Sequence, residues 1–222
     1  MIDTVVLPDK IEFVKGRLVP IPTPIFSVFG QKLRTLAMVR LFPEFMKWKV
    51  IQTTEYGFIA KHHCDILHLT TLHASITVTD WRIWSKYYLP SFGLKDKVIL
   101  DVGAGCGETA HFYLMYGARK VIAIEPDRIA AELLAENAKR NNWNVDVINR
   151  GFQLDDLNIA HDFMKMDGEG CEATLLELND DYNLKPCVIE VHSKGLIKQL
   201  TAKFHMNVVF RSTAGMALIR KL

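Results

Sequence analysis

The sequence predicts an α/β fold: a three-layer sandwich on a mostly parallel seven-stranded sheet, ending in an antiparallel C-terminal hairpin and preceded by an N-terminal α+β extension. Three observations carry this. From Lys97 onward short apolar runs alternate with amphipathic stretches, the pattern of a parallel sheet covered by helices. The first of these runs, Val98 to Asp101, opens into a glycine-rich turn, Gly103-Ala-Gly-Cys-Gly107. The chain then finishes with two strand-like runs, Asn207 to Phe210 and Met216 to Ile219, whose short connection permits only an antiparallel pair.

Between these landmarks the elements follow in order. Strands are expected at Val98 to Asp101, Lys120 to Glu125, Val145 to Asn149, Phe163 to Asp167 and Cys187 to His192. Helices are expected at Glu108 to Tyr116, Arg128 to Asn141, Cys171 to Leu178 and Lys194 to Phe204. Gly117 suits a helix C′ position, while Asp127 and Ser193 have the side-chain oxygen needed to cap the helices that follow them.

The first 90 residues differ in texture, so the chain divides into an extension over residues 1–90, suited to a substrate or lid role, and a ligand-binding domain over residues 91–222. Val19-Pro-Ile-Pro-Thr-Pro24 cannot be a regular helix, because its prolines lack amide donors and push their predecessors toward extended geometry. Phe29 to Trp48 reads as one or two helices broken near Pro43, and Lys49 to Ala60 as strand with a turn at Gly57. Trp81 to Leu89 reads as a short aromatic-rich helix ended by Pro90, with Trp81, Trp84, Tyr87 and Tyr88 as core or lid packing residues and an aromatic acceptor pocket as the alternative.

Composition narrows the function classes. A 222-residue chain, 49% hydrophobic and 23% charged, buries a substantial core. Its net charge of +2 gives no bulk electrostatic reason for a nucleic-acid or anionic-membrane partner. The four cysteines are widely spaced, without a C-x-x-C pair, which argues against a zinc knuckle and a disulfide framework. His62, His63, Cys64, His68 and His73 do not repeat a familiar ligand spacing, so no metal is expected. No apolar run reaches the length of a bilayer span and the N-terminus shows no charged leader with an apolar core, so a cytoplasmic protein without a membrane partner is expected.

The glycine turn is the chemical signature. Gly103, Gly105 and Gly107 allow close backbone approach to a ligand, and the helix that follows offers unpaired amides. A dinucleotide fingerprint starting at Gly103 needs glycine at position 108, which is Glu108, a residue poorly suited to pyrophosphate. It is compatible with a zwitterionic amino-acid group beside a sulfonium, the charge pattern of S-adenosyl-L-methionine. Glu125, closing the second strand, can accept from both ribose hydroxyls; Asp101 is placed to organise the ammonium; and Asn149, Gly151 and Phe152 border the adenine. Ala104 and Pro126 complete the expected cofactor surface.

In open α/β sheets ligands gather at the carboxyl ends of the strands. Here those of the fourth and fifth strands are polar, Asp167-Gly-Glu-Gly170 and Glu190-Val-His192. Together DVGAGCGE, IAIEPD, FMKMDGEGCE and VIEVH resemble the FkbM-type methyltransferases over Val98 to His192, with Gly105 where that pattern often has asparagine and Gly168 where it has a bulkier residue. The resemblance implies a class I, Rossmann-like methyltransferase fold and O-methylation of small molecules or sugars. Asp167 and Glu169 are then expected to orient the acceptor, Asp167 also bordering the cofactor, and Glu190 or His192 to act as base. The expected partner is a small-molecule acceptor; RNA methylation and cofactor binding without catalysis are the alternatives. The sequence lacks an N-P-P-Y-type segment for base amino groups, which counts against RNA.

Overall fold

The computed structural model describes residues 11–14, 17–20, 47–212 and 215–221. Two short paired strands, β1 (Ile11–Val14) and β2 (Arg17–Pro20), come first. The helical stretch expected from Phe29 lies outside the described residues up to its last two, and Trp48 already opens a strand. An antiparallel three-stranded sheet follows, β3 (Trp48–Thr53), β4 (Gly57–His62) and β5 (Asp65–Thr70), leading directly into α1 (Thr71–Tyr87).

The main sheet holds seven strands in the order β11-β12-β10-β9-β6-β7-β8. They are β6 (Val98–Val102), β7 (Lys120–Ile124), β8 (Val145–Ile148), β9 (Phe163–Met166), β10 (Cys187–Val191), β11 (Asn207–Arg211) and β12 (Ala217–Lys221). Strands β6 to β10 pair in parallel, and β12 enters antiparallel between β10 and β11. The expected mostly parallel sheet with its terminal hairpin is therefore observed. Because the chain winds outward from β6 to β8 and then returns to β9 on the other side of β6, the strand order reverses between β6 and β9. That reversal opens a crevice at the carboxyl ends of these two strands.

Strand alternation separates the sheet into two faces. Val98, Leu100, Val102, Ile122, Ile124, Met164, Met166, Ile189 and Ile219 contribute to one core, which Ile197 and Leu200 of α4 (Lys194–Lys203) cover. Ile99, Val121, Ala123, Phe163, Val188 and Leu218 contribute to the other, under Trp84 of α1, Ala110, Phe112 and Tyr113 of α2 (Glu108–Met115), and Leu134 of α3 (Arg128–Asn141). Asp101, Lys165 and Glu190 have the parity of this second face. α1 therefore covers the same face on which the charged strand residues stand.

Helix starts follow the expected caps. Asp127 accepts from the Ala130 amide at 2.7 Å and Ser193 from the Leu196 amide at 3.4 Å, while Gly117 follows α2 at φ 94°. Two elements differ from expectation. The helix before Pro90 begins ten residues earlier than Trp81, because Thr70 caps it by accepting from the His73 amide and its buried face packs well enough to outweigh a β-branched first half. Cys171–Glu177 forms 3-10 turns rather than an α-helix, following Glu169 and Gly170 in left-handed conformations.

The small sheet is fastened to α3 by two asparagines one helical turn apart. Asn137 accepts from the His68 amide at 2.7 Å and donates to the His68 carbonyl at 2.9 Å; Asn141 does the same for Ile66 at 2.8 and 2.9 Å. The outer edge of β5 is thus satisfied by side-chain amides in place of another strand. Asn137 is fully buried and also donates to the Cys106 carbonyl at 2.8 Å, tying this edge to the glycine loop. Asn137→Ala removes the partner of one buried and two partly buried backbone groups and should cost about 3 kcal/mol, a fall in Tm of roughly 6–12 °C. Thermal unfolding followed by circular dichroism measures it; a Tm within a degree of wild type would show that these bonds carry no net stability.

Candidate functional site

The site begins with an ion pair in the middle of the sheet. Asp101 and Lys165 are opposite one another on β6 and β9, and both are almost wholly buried. Lys165 Nζ donates to the carbonyls of Gly103 at 2.6 Å and Val102 at 3.2 Å and faces Asp101 Oδ1 at 3.2 Å, while Thr109 donates to Asp101 Oδ2 at 2.6 Å. With those carbonyls taking two of its hydrogens, its contact with Asp101 is an ion pair more than an aligned hydrogen bond. Burial works against the ammonium, but the carboxylates of Asp101 and Asp167 outweigh it and hold Lys165 above its ordinary range.

The glycine loop lies directly on this pair. Gly103, Gly105 and Gly107 all take positive φ, at 72°, 56° and 91°. A Cβ on Gly103 would overlap the Asp167 carbonyl oxygen, so the loop rests against the end of β9 without room for a side chain. Glu125, just past β7, accepts from the Gly105 amide and from the Asp127 amide, each at 2.8 Å. Each of its oxygens keeps a second lone pair, so the carboxylate braces the loop and remains able to accept from a ribose hydroxyl. Ala104 is buried in the loop, and Pro126 follows Glu125 with its carbonyl 3.3 Å from Asn149 Nδ2. Asn149 also donates to the Glu125 carbonyl at 2.8 Å; beyond it Gly151 is exposed and Phe152 packs partly against the core. Glu108, first residue of α2, is buried beside the loop with Oε2 unpartnered, and burial pushes its carboxyl up.

Across the crevice stand the ends of β9 and β10. The nearest donor atoms of Asp167, Glu190 and His192 lie within 4.8 Å of one another, a separation that a hard or borderline divalent cation could bridge. His192 Nε2 is 3.6 Å from Glu190 and 3.7 Å from Glu169, whose side chain is largely exposed. Glu190 is mostly buried and accepts from the Tyr88 hydroxyl at 3.2 Å. Burial, then the charges of Asp167 and Asp80, push its carboxyl up to about 8. Asp101, Gly103, Ala104, Gly105, Gly107, Glu108 and Glu125 therefore gather on one side of the crevice, and Asp167, Glu169, Glu190 and His192 on the other.

Lys165, Thr109, Tyr88 and His73 belong to these surroundings and were not expected from the sequence. Lys165 carried a legible signal, as one lysine at the parity of Asp101 within an otherwise apolar strand. The histidine run from His62 to His73 is spread over the small sheet and the start of α1, with His68 Nε2 2.8 Å from Thr54 Oγ1. His62 Nδ1 meets His111 Nε2 at 2.8 Å, and His111 Nδ1 meets Asp65 at 3.0 Å, in a buried cluster with Trp48, Trp81 and Trp143. Burial, above all, lowers His62 to about 3 and His111 to about 4, so both are neutral at pH 7. His73 instead faces the glycine loop. No helix among the described residues is long and apolar enough to cross a membrane.

No protein-family model matches the chain. It is 29% identical over 96 residues to the uncharacterized protein 158B of Sulfolobus islandicus rod-shaped virus 1, covering 43% of this chain and 60% of that relative, so it spans less than two thirds of the relative's length. Similar solved structures include Aeropyrum pernix fibrillarin with natively bound S-adenosyl-L-methionine (13% identity, 58% of this chain and 67% of that one, TM-score 0.45). Another is M. jannaschii TYW2 in complex with AdoMet (17%, 78% and 87%, TM-score 0.47). A third is the C-terminal domain of precorrin-6Y C5,15-methyltransferase from Rhodobacter capsulatus (14%, 67% and 89%, TM-score 0.48). At these identities and scores the likenesses fix no chemistry for this chain.

Two outcomes follow from the charges. Lys165→Met leaves Asp101 buried without its counter-charge and should cost about 3–5 kcal/mol in urea unfolding, much of it recovered when Asp101→Asn is added. Equal stability of the single and double variants would sink the ion-pair account. Glu190 holds its proton more tightly in the folded chain than in the unfolded one, where the ordinary value is 4.5. Its contribution is therefore full below that value and lost as pH rises toward about 8. Wild type should lose stability relative to Glu190→Gln across that interval, and parallel pH profiles would refute the assignment.

Proposed function

We propose that the chain is an S-adenosylmethionine-dependent methyltransferase acting on an oxygen of a small-molecule acceptor. The observation that carries this reading is the facing of two differently equipped walls across one crevice. On one side are the left-handed glycine loop and Glu125; on the other are the acids and histidine ending β9 and β10. The loop residues fit the cofactor: three glycines at positive φ give the loop its tight course beside Glu125, and the buried, unpartnered oxygen of Glu108 calls for a donor.

Bound S-adenosylmethionine supplies an electrophilic methyl group on a sulfonium. Glu125 accepts from the ribose hydroxyls, with Pro126, Gly151 and Phe152 bordering the base. Asp167 and Glu169 orient the acceptor hydroxyl toward the methyl carbon for in-line attack. His192 would take the proton that the acceptor oxygen gives up as the new carbon–oxygen bond forms and the carbon–sulfur bond breaks, with Glu190, which keeps its own proton up to about 8, as a hydrogen-bond partner behind it. The Glu169 carboxylate, 3.7 Å from His192 Nε2, stands ready to pair with the imidazolium. Tyr88, donating to Glu190 from the C-terminal cap of α1, fixes that carboxyl group.

Incubation with methyl-labelled S-adenosylmethionine and fractionated extract should place label in the small-molecule fraction. His192→Ala should lower turnover by roughly 100-fold while leaving S-adenosylhomocysteine affinity within about threefold. Label in RNA would replace the acceptor class. Tight cofactor binding with no label transferred to any fraction would make the chain a binding protein. Turnover unaffected by His192→Ala would remove the base from His192.

A further inference from the structure

A second positive charge lies on the main sheet, one row below the crevice. Register places Asp101 of β6, Lys165 of β9, Val188 of β10 and Arg220 of β12 in a single line across four neighbouring strands. Cross-strand partners point to the same face, and Val188 packs in the core that α1 and α2 cover, so all four side chains stand on that side. Asp101 and Lys165 neutralise each other. Arg220 takes no part in that pair, because Val188 separates it from Lys165 by two strand spacings, about 10 Å at the backbone.

Two donors above this row lack acceptors. Arg220 donates from one terminal nitrogen to the carbonyl of Tyr87, the last residue of α1, but its Nε is shut off from water without a hydrogen-bond partner. Among the described residues no carboxylate pairs with the guanidinium, and burial pulls it below its ordinary range. Tyr113 lies one helical turn beyond Thr109, the residue that holds Asp101, and its ring meets Phe163 of β9 edge-on with centroids 6.3 Å apart. That course carries its hydroxyl across the sheet, where Asp101 acts on it from one side and Arg220 from the other. The Tyr113 hydroxyl is buried and also without a partner. Burial, then the charge of Asp101, keep its proton in place, so it is a donor.

An unmatched guanidinium charge and an unmet hydroxyl are both costly in a dry interior. Water meets the second need and not the first; an anion meets both. We propose that Arg220 Nε–H and the Tyr113 hydroxyl hold one small monovalent inorganic anion of the size of chloride. Two donors suffice for a halide, whereas the several oxygens of phosphate or sulfate would go unpaired between Val188 and Phe163. Val188 stands two residues before Glu190 on the same face of β10, so the anion lies beneath the acceptor wall. It steadies the end of α1 from which Tyr88 holds Glu190. The site stands whatever nucleoside the glycine loop binds.

Thermal unfolding at constant ionic strength, with sodium chloride replacing sodium gluconate, tests this. The Tm of wild type should rise and then level off, by about 3–5 °C once chloride reaches ten times its Kd. Tyr113→Phe, which keeps the ring, should weaken chloride about tenfold, and Arg220→Met should abolish the response. Crystals grown in sodium bromide should show an anomalous peak in contact with Arg220 Nε and Tyr113 Oη, a measurement that holds even where Arg220→Met fails to fold. Equal Tm in the two salts, a response unchanged in Tyr113→Phe, or water alone at these two atoms in the bromide crystals overturns the anion site.

Discussion

The burial of one positive and one negative charge at the centre of the main sheet governs everything around the crevice. Removing Asp101 and Lys165 from water is expensive, and their mutual attraction alone does not repay it. The Thr109 hydroxyl and the carbonyls of Val102 and Gly103 complete the repayment. Those partners are structural levers as well. By drawing the first two carbonyls of the loop region toward β9, Lys165 locks the start of the glycine loop to the strand on the far side of the crevice. The contact of Gly103 with the Asp167 carbonyl works in the same direction. The loop and the end of β9 are therefore held at a fixed separation by the sheet itself.

The second face of the sheet extends this arrangement. Asp101, Lys165 and Glu190 share a parity, so α1 and α2 cover charged strand residues as well as apolar ones, and each supplies a polar partner: Thr109 for Asp101, Tyr88 for Glu190. α1 can serve there because its start is anchored. The β5 edge is pinned to α3 by Asn137 and Asn141, and the neutral His62–His111 contact packs the small sheet against α2. A helix anchored at both ends, by Thr70 and by Tyr88, has little freedom to lift from the crevice.

How much of this was legible follows from the range of each interaction. The elements from Val98 onward could be read because their signals are local: apolar runs of strand length, caps at Asp127 and Ser193, glycines at a junction. Order in the sheet could be read at its end, where a short connection forces β11 and β12 to be antiparallel. The first half of α1 could not, since Thr71, Ile76 and Thr77 favour extended backbone, and the helix holds them through the burial of Thr71, Ala74 and Thr77 beside β4 and β5. The partners of the site residues were hidden for a related reason. Tyr88 and Glu190 are 102 positions apart, and His73 and Cys106 33 apart, so no spacing rule connects them. Lys165 is the intermediate case, visible as an anomaly in its strand but uninterpretable until β9 is known to lie beside β6.

The distribution of charge bears on the choice of ligand. Asp167, Glu190, Glu169 and Glu108 border the crevice, and the one buried cation among them, Lys165, is already committed to Asp101 and two carbonyls. The charges of Asp167 and Glu169 repel pyrophosphate and favour a ligand carrying positive charge, whereas Glu190 keeps its proton up to about 8 and adds none at neutral pH. A sulfonium meets that requirement before methyl transfer and ceases to after it, when the sulfur becomes a neutral thioether. On the proposed reading, the carboxylates that draw the cofactor in therefore lose part of their hold once the reaction is complete, so the same charges that select the ligand also assist release of its product.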